Sequence, residues 1–439
     1  MGRKALELAN GLEAAIRDGR LIPGVRLPTH REMAHQHGVA LNTASHAMRL
    51  LTARGLIVGE TGRGSFVRTP HHVDAGAFSL DRTAPAQIDL ARNVMPLPGL
   101  AERLEAAVRA VLRRERDLLT DYQPHAGRLT DRVTAAHALS RTGHLPDDPS
   151  RVLICAGGQH AITVALMATT KPGDAVAVEN LTWPGIQAAA AALGLELVPL
   201  PLDKDGLRPR PLLRLAARRR ITALYCMPTL QNPTAATMPA RRRETIAALA
   251  RRLDFQIIED DAYGFLVDKD AAPPLAALAP ERVWHVRSLS KSLSPGLRTA
   301  WLLVPPGQDS RAAGTIRATT WGVPPLGPAI ASYWIADGTA SALAVERQRE
   351  ARARGDIADS ILPAGRFCRA AASPHLWLQL TGRTRAEALT EAAAAAGVRI
   401  APASAFGIGC SPNAVRLSLC APSSRTELER GLTTLAGLL

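Results

Sequence analysis

The sequence contains few aromatic residues, little lysine and no closely spaced cysteines. Phe, Trp and Tyr make up 4% of the 439 residues, whereas hydrophobic residues make up 46%. The five cysteines lie far apart without a C-x-x-C pair, a pattern that fits neither a disulfide framework nor a zinc knuckle. We therefore expect a folded protein of the reducing cytoplasm that has no metal site.

The sequence also lacks a long uninterrupted apolar run. Residues 152–170 and 221–240 are uncharged, but glycine, proline and amide residues interrupt both stretches. The chain starts with Met1-Gly2-Arg3-Lys4 and enters a charged amphipathic pattern, without the apolar segment of a secretory signal. We expect no membrane segment and, from the length, two or more domains.

Positive charge is in excess. Lys and Arg total 53 against 39 Asp and Glu, which gives a formal net charge of +14, and only five of the 53 are lysines. Such a balance fits an anionic partner such as nucleic acid, and a coding bias toward arginine explains it about equally well. The first 70 residues have ten basic and five acidic residues, so the density of positive charge is higher there than in the rest.

The N-terminal segment has the pattern of three helices followed by a hairpin. Apolar residues at helical spacing predict a first helix over 3–18. Thr29-His30-Arg31-Glu32 is a capping-box pattern, which predicts a second helix from about residue 30 to Gly38, and a third helix follows over 42–54. Two short apolar runs around a glycine turn then predict a hairpin wing. Helix, tight turn and helix form a helix-turn-helix.

This segment resembles the winged-helix domain of GntR-type bacterial transcription regulators. The motifs that carry the resemblance are Leu27 to Ala34, Gly38 to Thr43, Arg54 to Ile57 and Gly62 to Val67. The resemblance implies that residues 1–70 bind double-stranded operator DNA. It further implies phosphate contacts from Arg31 and Arg63, and major-groove contacts from Asn42, Thr43, Ser45 and Arg49, with His46 as a further candidate.

Two positions depart from the GntR pattern. Ala40 and Leu41 stand where the family usually has a hydroxyl residue and an arginine. A helix cap and a cation facing the groove are therefore missing, and we expect weaker operator binding or an altered operator sequence. A winged helix that contacts protein, or that has lost DNA binding, is the alternative.

Beyond an aperiodic stretch, the pattern changes to alternating strands and helices. Residues 71–88 predict a linker, and their adjacent His71 and His72 cannot both point at one ion, so we expect a solvated loop. Seven short apolar runs then alternate with helical patterns, at 152–154, 175–178, 195–200, 222–225, 255–258, 283–286 and 299–304. Such alternation predicts an α/β fold with a mainly parallel sheet that binds its ligand at the carboxyl ends of the strands.

Two segments beyond these runs suit a phosphorylated aldehyde cofactor. Lys291 offers an amine for a Schiff base, and Ser288, Ser290 and Arg298 beside it can grip a phosphate. Asp260 ends an apolar run and can pair with a pyridinium nitrogen, while Tyr263 three residues later can reach a phenolic oxygen. Glu259 and Asp261 leave a metal site as an alternative, which we discount because three consecutive carboxylates cannot all face one ion.

Three weaker signals agree with this interpretation. Asn232 lies in a turn and can donate to the same phenolic oxygen. Gly158 and Gln159 open a helical pattern whose amides can bind phosphate. Trp183 can stack on a flat ring, although a lone tryptophan is more often part of a core.

Together these segments resemble the fold-type I aminotransferases, whose cofactor is pyridoxal 5'-phosphate, over roughly residues 89–439. The resemblance implies large and small subdomains, with Lys291 as the Schiff-base lysine and Asp260 as the pyridine partner. It also implies that Tyr263 and Asn232 donate to the phenolic oxygen and that Trp183 stacks on the ring. Two further roles follow from it: Arg416 takes a substrate carboxylate, and Tyr122 reaches the phosphate of a partner subunit in a homodimer. Ala235 replaces a usual glycine.

A GntR-type winged helix joined to an aminotransferase-like domain resembles the MocR/GabR class of regulators. This resemblance implies a transcription factor in which the pyridoxal phosphate domain senses an amino compound or the cofactor itself. The alternative is a working aminotransferase that acts on an amino acid and carries a vestigial DNA-binding segment, because the same residues suit sensing and catalysis. A cofactor-free α/β binding module is disfavoured, since so many cofactor contacts are present.

Overall fold

The computed structural model describes residues 3–18, 20–21, 25–53, 56–60, 64–67, 87–141, 144–267, 271–382, 384–409 and 411–439. Arg63 and all but the last two residues of the predicted linker lie outside these ranges. The chain divides into two compact units, the first with the elements before residue 77 and the second with the elements after it.

The described part of the first unit comprises three helices and a hairpin, as the sequence predicts. Its elements are α1 (Arg3–Arg17), α2 (His30–Gln36), α3 (Leu41–Ala53), β1 (Ile57–Glu60) and β2 (Gly64–Val67), and the two strands pair antiparallel. Met33, Ala44, Ala47 and Leu51 form the centre of its core. Leu6 follows the apolar spacing of α1 but is 48% exposed, so the buried stripe is narrower than the sequence pattern.

The capping box at the start of α2 is formed. The Thr29 N–H donates to the Glu32 carboxylate at 2.7 Å, and the Glu32 N–H donates to the Thr29 hydroxyl at 3.3 Å. These bonds lower the pKa of Glu32, because they favour the ionised carboxylate. At the start of α3, the Ala40 carbonyl accepts the N–H groups of Thr43 and Ala44, but a methyl side chain cannot cap the helix.

The second unit is built on a seven-stranded mixed sheet. The strands of this part of the chain, in chain order, are β3 (Ile88–Asp89), β4 (Val152–Cys155), β5 (Ala175–Glu179), β6 (Glu196–Leu200), β7 (Leu202–Asp203), β8 (Gly206–Leu207), β9 (Ala223–Cys226), β10 (Gln256–Asp260), β11 (Val283–Ser288) and β12 (Ala300–Leu303). The sheet order is β4-β12-β11-β10-β9-β5-β6, with β12 antiparallel to both neighbours and the other pairs parallel. All seven predicted runs are confirmed as the strands of this sheet.

Helices cover both faces of this sheet. They are α4 (Leu100–Arg114), α5 (Leu129–Ser140), α6 (Gly158–Thr169), α7 (Gly185–Ala192), α8 (Pro209–Ala216), α9 (Ala240–Leu253), α10 (Leu275–Leu278), α11 (Asp309–Thr320), α12 (Leu326–Ala336) and α13 (Thr339–Ile361). Successive strand residues enter different buried clusters: Leu224 and Ile257 join one, and Tyr225 and Ile258 join the other. Because successive side chains of a strand point to opposite faces, each face has its own core.

A smaller sheet follows near the C-terminus. The strand order of this sheet is β13-β14-β17-β16. The elements of this part of the chain are β13 (Phe367–Cys368), β14 (His375–Gln379), α14 (Ala386–Ala395), β15 (Val398–Arg399), β16 (Ala401–Pro402), β17 (Ala414–Ser418) and α15 (Arg425–Ala436). The short strand β3 pairs in parallel with β15, which brings the first residues of the second unit into this C-terminal part. Within the described ranges, the helices lack the combination of length and apolar character that a bilayer crossing requires.

Replacing Thr29 with alanine tests the capping box. We expect local opening of α2 to become easier by about 1 kcal/mol, because the Glu32 N–H loses its acceptor. Amide hydrogen exchange of residues 30–36 in the full chain measures this opening. Thr29→Ser keeps the hydroxyl and should exchange like the unsubstituted chain, and equal protection in all three proteins would contradict the capping role.

Candidate functional site

The residues predicted to bind a cofactor converge at one edge of the large sheet. Asp260 and Ser288 are the last residues of β10 and β11, and Trp183 and Asn232 follow β5 and β9. Since these four strands run parallel to one another, their carboxyl ends meet at the same edge. Arg298 lies just before the antiparallel strand β12 and therefore reaches the same edge.

A glycine corner before α6 forms a site suited to an anion. Gly157 has a φ of 88°, and a Cβ atom there would lie 2.5 Å from the Arg298 guanidinium. Gly158 is the first residue of α6, and a Cβ atom on it would lie 3.0 Å from the Ser288 side chain. The Ser290 N–H donates to the Ser288 hydroxyl at 3.4 Å. Hydroxyls, a guanidinium and helix amides thus meet where a side chain would block access.

Trp183, the residue predicted to stack on the cofactor ring, is held in place by Gln159 at the same edge of the sheet. The Trp183 indole N–H donates to the Gln159 side-chain oxygen at 3.2 Å, and the Gln159 amide donates to the Gly185 carbonyl at 2.8 Å. The side chain of Gln159 therefore orients the indole ring. The backbone of Gln159 lies in the first turn of α6, where the sequence predicts that helix amides bind a phosphate.

Lys291 carries an amine on a half-buried side chain that lies near two arginines. Its Nζ donates to the Asn93 main-chain carbonyl. Burial and the positive charges of Arg416 and Arg298 lower the pKa of Lys291 to about 8, against the opposing effect of Asp260. A substantial fraction of this amine is therefore neutral near pH 8, and the neutral form is the nucleophile toward a carbonyl group.

Asp260 is a buried carboxyl with one direct hydroxyl donor. The Tyr225 hydroxyl donates to its Oδ2 atom at 2.7 Å. Burial raises the pKa of Asp260 to about 6, and the Tyr225 hydrogen bond opposes that shift. A cationic N–H group placed against Asp260 would favour the ionised carboxylate. Tyr225 lies in the apolar run 222–225, where no local signal in the sequence separates it from a core tyrosine.

The carboxylates on either side of Asp260 have partners other than Tyr225. Glu259 accepts the N–H groups of Leu275 and Ala276, each at 2.9 Å, at the start of α10. Asp261 pairs with Arg287 at 2.7 Å. Glu259 and Asp261 also lie on either side of the buried His285 ring, at 3.2 and 3.5 Å, whereas Asp260 accepts from Tyr225 instead. The three consecutive carboxylates therefore do not face one common point, which weighs against a shared metal ion.

Asn93 links the amine to a buried polar cluster that the sequence did not reveal. Its amide nitrogen lies 2.7 Å from the Tyr263 hydroxyl and 2.8 Å from Nδ1 of His375. Its side-chain oxygen accepts the Ser418 hydroxyl at 3.1 Å. One asparagine therefore holds the predicted tyrosine, while its own main-chain carbonyl holds Lys291.

His375 is neutral and has a defined tautomer in this cluster. Its Nε2 lies 3.0 Å from the Gln231 carbonyl, which can only accept, so Nε2 carries the proton and Nδ1 accepts from Asn93. Burial and the nearby charge of Arg416 lower the pKa of His375 to about 3. In the sequence, His375 can be recognised as an isolated polar residue at the start of an apolar strand.

Arg416 and Asn232 form a second pair in the site. The Arg416 guanidinium donates to the Asn232 side-chain oxygen at 2.8 Å and to the Ala91 carbonyl, and it stacks 4.8 Å from the centre of the Phe406 ring. Burial lowers the pKa of Arg416 to about 10. Because the Asn232 oxygen accepts from Arg416, its NH₂ group is the part that can donate to a ligand oxygen.

Tyr122 is not part of this buried group. It is 82% exposed, and its ring lies edge-on to Trp321 with 6.3 Å between ring centres. Its predicted role toward a partner subunit stays a prediction.

The predicted DNA-contact residues of the first unit are at its surface to different degrees. Arg31, Asn42 and Arg49 are exposed, whereas Thr43 and Ser45 are half-buried. The Ser45 hydroxyl lies 3.1 Å from Nδ1 of His30 and so links α3 to α2. Leu41, where the GntR pattern usually has arginine, is 46% exposed.

Both units match known families. Residues 85–435 match the model described as Aminotransferase class I and II, and residues 4–67 match the model described as Bacterial regulatory proteins, gntR family. The chain is 31% identical over 440 residues to YdeF, an uncharacterized HTH-type transcriptional regulator of Bacillus subtilis (strain 168), which covers 98% of this chain and 93% of YdeF. It is 32% identical to the HTH-type transcriptional regulator TauR of Rhodobacter capsulatus over 71% of this chain and 69% of TauR.

Solved structures of aminotransferases share the fold. An archaeal alanine:glyoxylate aminotransferase aligns with a TM-score of 0.76 and 27% identity over 83% of this chain and 94% of that one. The α-aminoadipate aminotransferase LysN of Thermus thermophilus, complexed with N-(5'-phosphopyridoxyl)-L-leucine, aligns with a TM-score of 0.75 and 24% identity over 84% and 94%. The chain therefore belongs to the aminotransferase class I and II family and, through its GntR-family domain, to the MocR/GabR class of transcriptional regulators.

Proposed function

We propose that the second unit binds pyridoxal 5'-phosphate at Lys291 and that this site makes DNA binding by the first unit responsive to an amino compound or to the cofactor. The observation that carries the proposal is a half-buried amine, with a lowered pKa, near both Arg298 of the glycine corner and the buried Asp260 carboxyl. Relatives named as transcriptional regulators, and a solved neighbour named with a phosphopyridoxyl ligand, support it.

The residues present fit the proposed cofactor. The glycine corner at Gly157 and Gly158 leaves the space that a Cβ atom would fill, and Ser288 and Arg298 border that space. A phosphate is the anion that this set of helix amides, hydroxyl and guanidinium groups prefers. Gly158, Gln159, Ser288, Ser290 and Arg298 would hold the phosphate, and Trp183 would stack on the ring.

The remaining residues have separate chemical tasks. The bound cofactor supplies an aldehyde carbon that amines attack and a ring that withdraws electrons. Lys291 provides the neutral amine, and Asp260 holds a proton at the pyridine nitrogen. Tyr263 and Asn232 donate to the phenolic oxygen, and Arg416 takes the carboxylate of the amino compound in a bidentate pair.

The same site explains how a small molecule can act on transcription. A ligand shifts an equilibrium between two conformations only by the difference in its affinity for them. An amino compound that replaces Lys291 as the bound amine frees the lysine from one partner and places a carboxylate against Arg416. Both changes bear on Asn93 and Asn232, which contact Lys291 and Arg416. We propose a cytoplasmic homodimer, in which Tyr122 reaches the partner's site, as the form that reads operator half-sites.

A working aminotransferase is the second candidate. It is favoured by the buried position of Arg416, beside Asn232, on the same polar cluster as the amine. Here Lys291 would also move the proton from the α-carbon of an amino acid. Incubating the loaded protein with a panel of amino acids tests this candidate: conversion of pyridoxal phosphate to pyridoxamine phosphate would support it, and no conversion with any donor would exclude it for that panel.

The pH dependence of cofactor uptake tests the amine. We expect the rate of attachment to rise with pH and to level off above about pH 8, because the neutral fraction of Lys291 grows as the pH passes its pKa. Stopped-flow absorbance of the visible band measures this rate. Asp260→Asn removes a negative charge and should move the midpoint to lower pH, whereas Arg416→Met removes a positive charge and should move it to higher pH. Midpoints that do not move in opposite directions would contradict the assigned electrostatics.

Footprints on DNA from upstream of the protein's own gene test the regulatory role. We expect a footprint whose strength or extent differs with and without pyridoxal phosphate, because the two states bind DNA differently. In Lys291→Ala the footprint should persist and the difference should vanish. Asn42→Ala should weaken binding by roughly tenfold in both states, since it removes a base contact. Gln36→Ala, an exposed position on α2, is the matched control. If the footprint of the unsubstituted chain were the same with and without the cofactor, the proposed sensing role would be wrong.

A further inference from the structure

A long stretch of the second unit contains arginine and no acidic residue. Between Asp205 and Glu244 the chain has nine arginines and neither aspartate nor glutamate. The excess is local, since the arginines of α13 alternate with acids, as Arg347 and Arg349 do with Glu346 and Glu350. A uniform coding bias toward arginine therefore does not explain the loss of acidic residues between 206 and 243.

Three of these arginines share one face of α8 and the turn after it. Arg210, Arg214 and Arg218 are spaced four residues apart and are exposed, while Leu212 is fully buried against the core. The N–H of Arg218 still bonds to the Leu215 carbonyl at 3.0 Å, so the helical path extends to it. Residues at this spacing lie above one another on a helix. The row spans about 12 Å, a length over which one strand of duplex DNA presents about three or four phosphates.

Among the residues that the structure describes, no carboxylate pairs with the positive charges of this row. Arg219 is neutralised by a bidentate pair with Glu196, and Arg242 by Asp203. Within the described ranges, Arg210, Arg214 and Arg218 form no ion pair with a carboxylate. Clustered cations repel one another and destabilise the folded protein unless an external anion offsets them. An exposed cluster of unpaired cations of this kind suits an anionic partner.

The geometry around the row favours an extended partner over a small ion. Arg214 and Arg218 border a shallow groove between α8 and β6, the edge strand of the large sheet, with Leu215 and residues 198–201 as further lining. Residues 194–220 contain no aromatic side chain, so bases cannot stack there and the aromatic anchors of a membrane-surface helix are missing. The planar guanidinium group of arginine can donate two parallel hydrogen bonds to the oxygens of one phosphate.

We propose that Arg210, Arg214 and Arg218, termed the α8 arginine row, form a second DNA-binding surface that contacts the phosphate backbone of duplex DNA flanking the operator. The proposal rests on operator binding by the GntR-family domain. DNA held by that domain is present at high effective concentration for any basic surface of the same molecule. The row adds affinity without sequence specificity, because phosphate contacts carry no base information.

Matched double variants of the full chain test the row. Arg214→Gln with Arg218→Gln removes two charges from it. Arg311→Gln with Arg317→Gln removes two exposed charges, unpaired among the described residues, from α11, which contacts β4 at the opposite edge of the sheet. Equal loading with pyridoxal phosphate, measured by visible absorbance, shows that both variants are folded. Fluorescence anisotropy is then measured across a series of salt concentrations on two duplexes, one limited to the footprint and one extended on both sides.

We expect the row variant to bind the extended duplex about three- to tenfold more weakly than the α11 variant does. The slope of log affinity against log salt should fall by about 1.8 per bound copy, at ~0.9 for each lost phosphate contact. Binding to the short duplex should be the same for both variants. Equal affinities and slopes of the two variants on the extended duplex would overturn the row proposal alone. If the unsubstituted chain bound neither duplex, the proposed function would fall and the row proposal with it.

Discussion

The placement of the half-buried Lys291 amine near the fully buried Arg416 guanidinium determines the electrostatics of the candidate site. In a medium of low dielectric constant, a charged ammonium group loses solvation, and Arg416 adds repulsion. Lysine tolerates this environment because it can release its proton, whereas arginine keeps its charge and must be paired instead. Arg416 accordingly binds a side-chain oxygen and a main-chain carbonyl and stacks on an aromatic ring. The surrounding polar residues are arranged to support these two cations.

The support comes from parts of the chain that are far apart in sequence. Asn93 precedes the large sheet, His375 lies in the C-terminal sheet, and Tyr263 follows the central strand β10. Their hydrogen bonds join three regions around a single side chain, Asn93. Networks of this kind fix one arrangement, because each buried donor or acceptor that loses its partner costs about 1–3 kcal/mol. A ligand that competes for any member of the network perturbs the other members.

The sequence alone was sufficient for most of the fold and for the residues with an unusual local context. The seven strands were evident from apolar runs, and α2 from its capping box, because both signals depend on nearest neighbours in the chain. Lys291 stood out among five lysines through its serine and arginine neighbours. Asn93, Tyr225 and His375 did not stand out, since their roles arise only when distant segments meet. The exposed Leu6 shows that helical spacing marks an apolar stripe but does not set how wide its buried part is.

The pairing of β3 with β15 has a mechanical consequence. Strand β3 is the first described strand after the DNA-binding unit along the chain, and Asn93 follows it after three residues. The first described backbone of the second unit is thus paired with β15 just before the Asn93 main-chain carbonyl accepts a hydrogen bond from Lys291. A shift of β15 would therefore be passed along three residues of backbone to the carbonyl that holds the Lys291 amine, which couples the position of the C-terminal part of the second unit to that of the lysine.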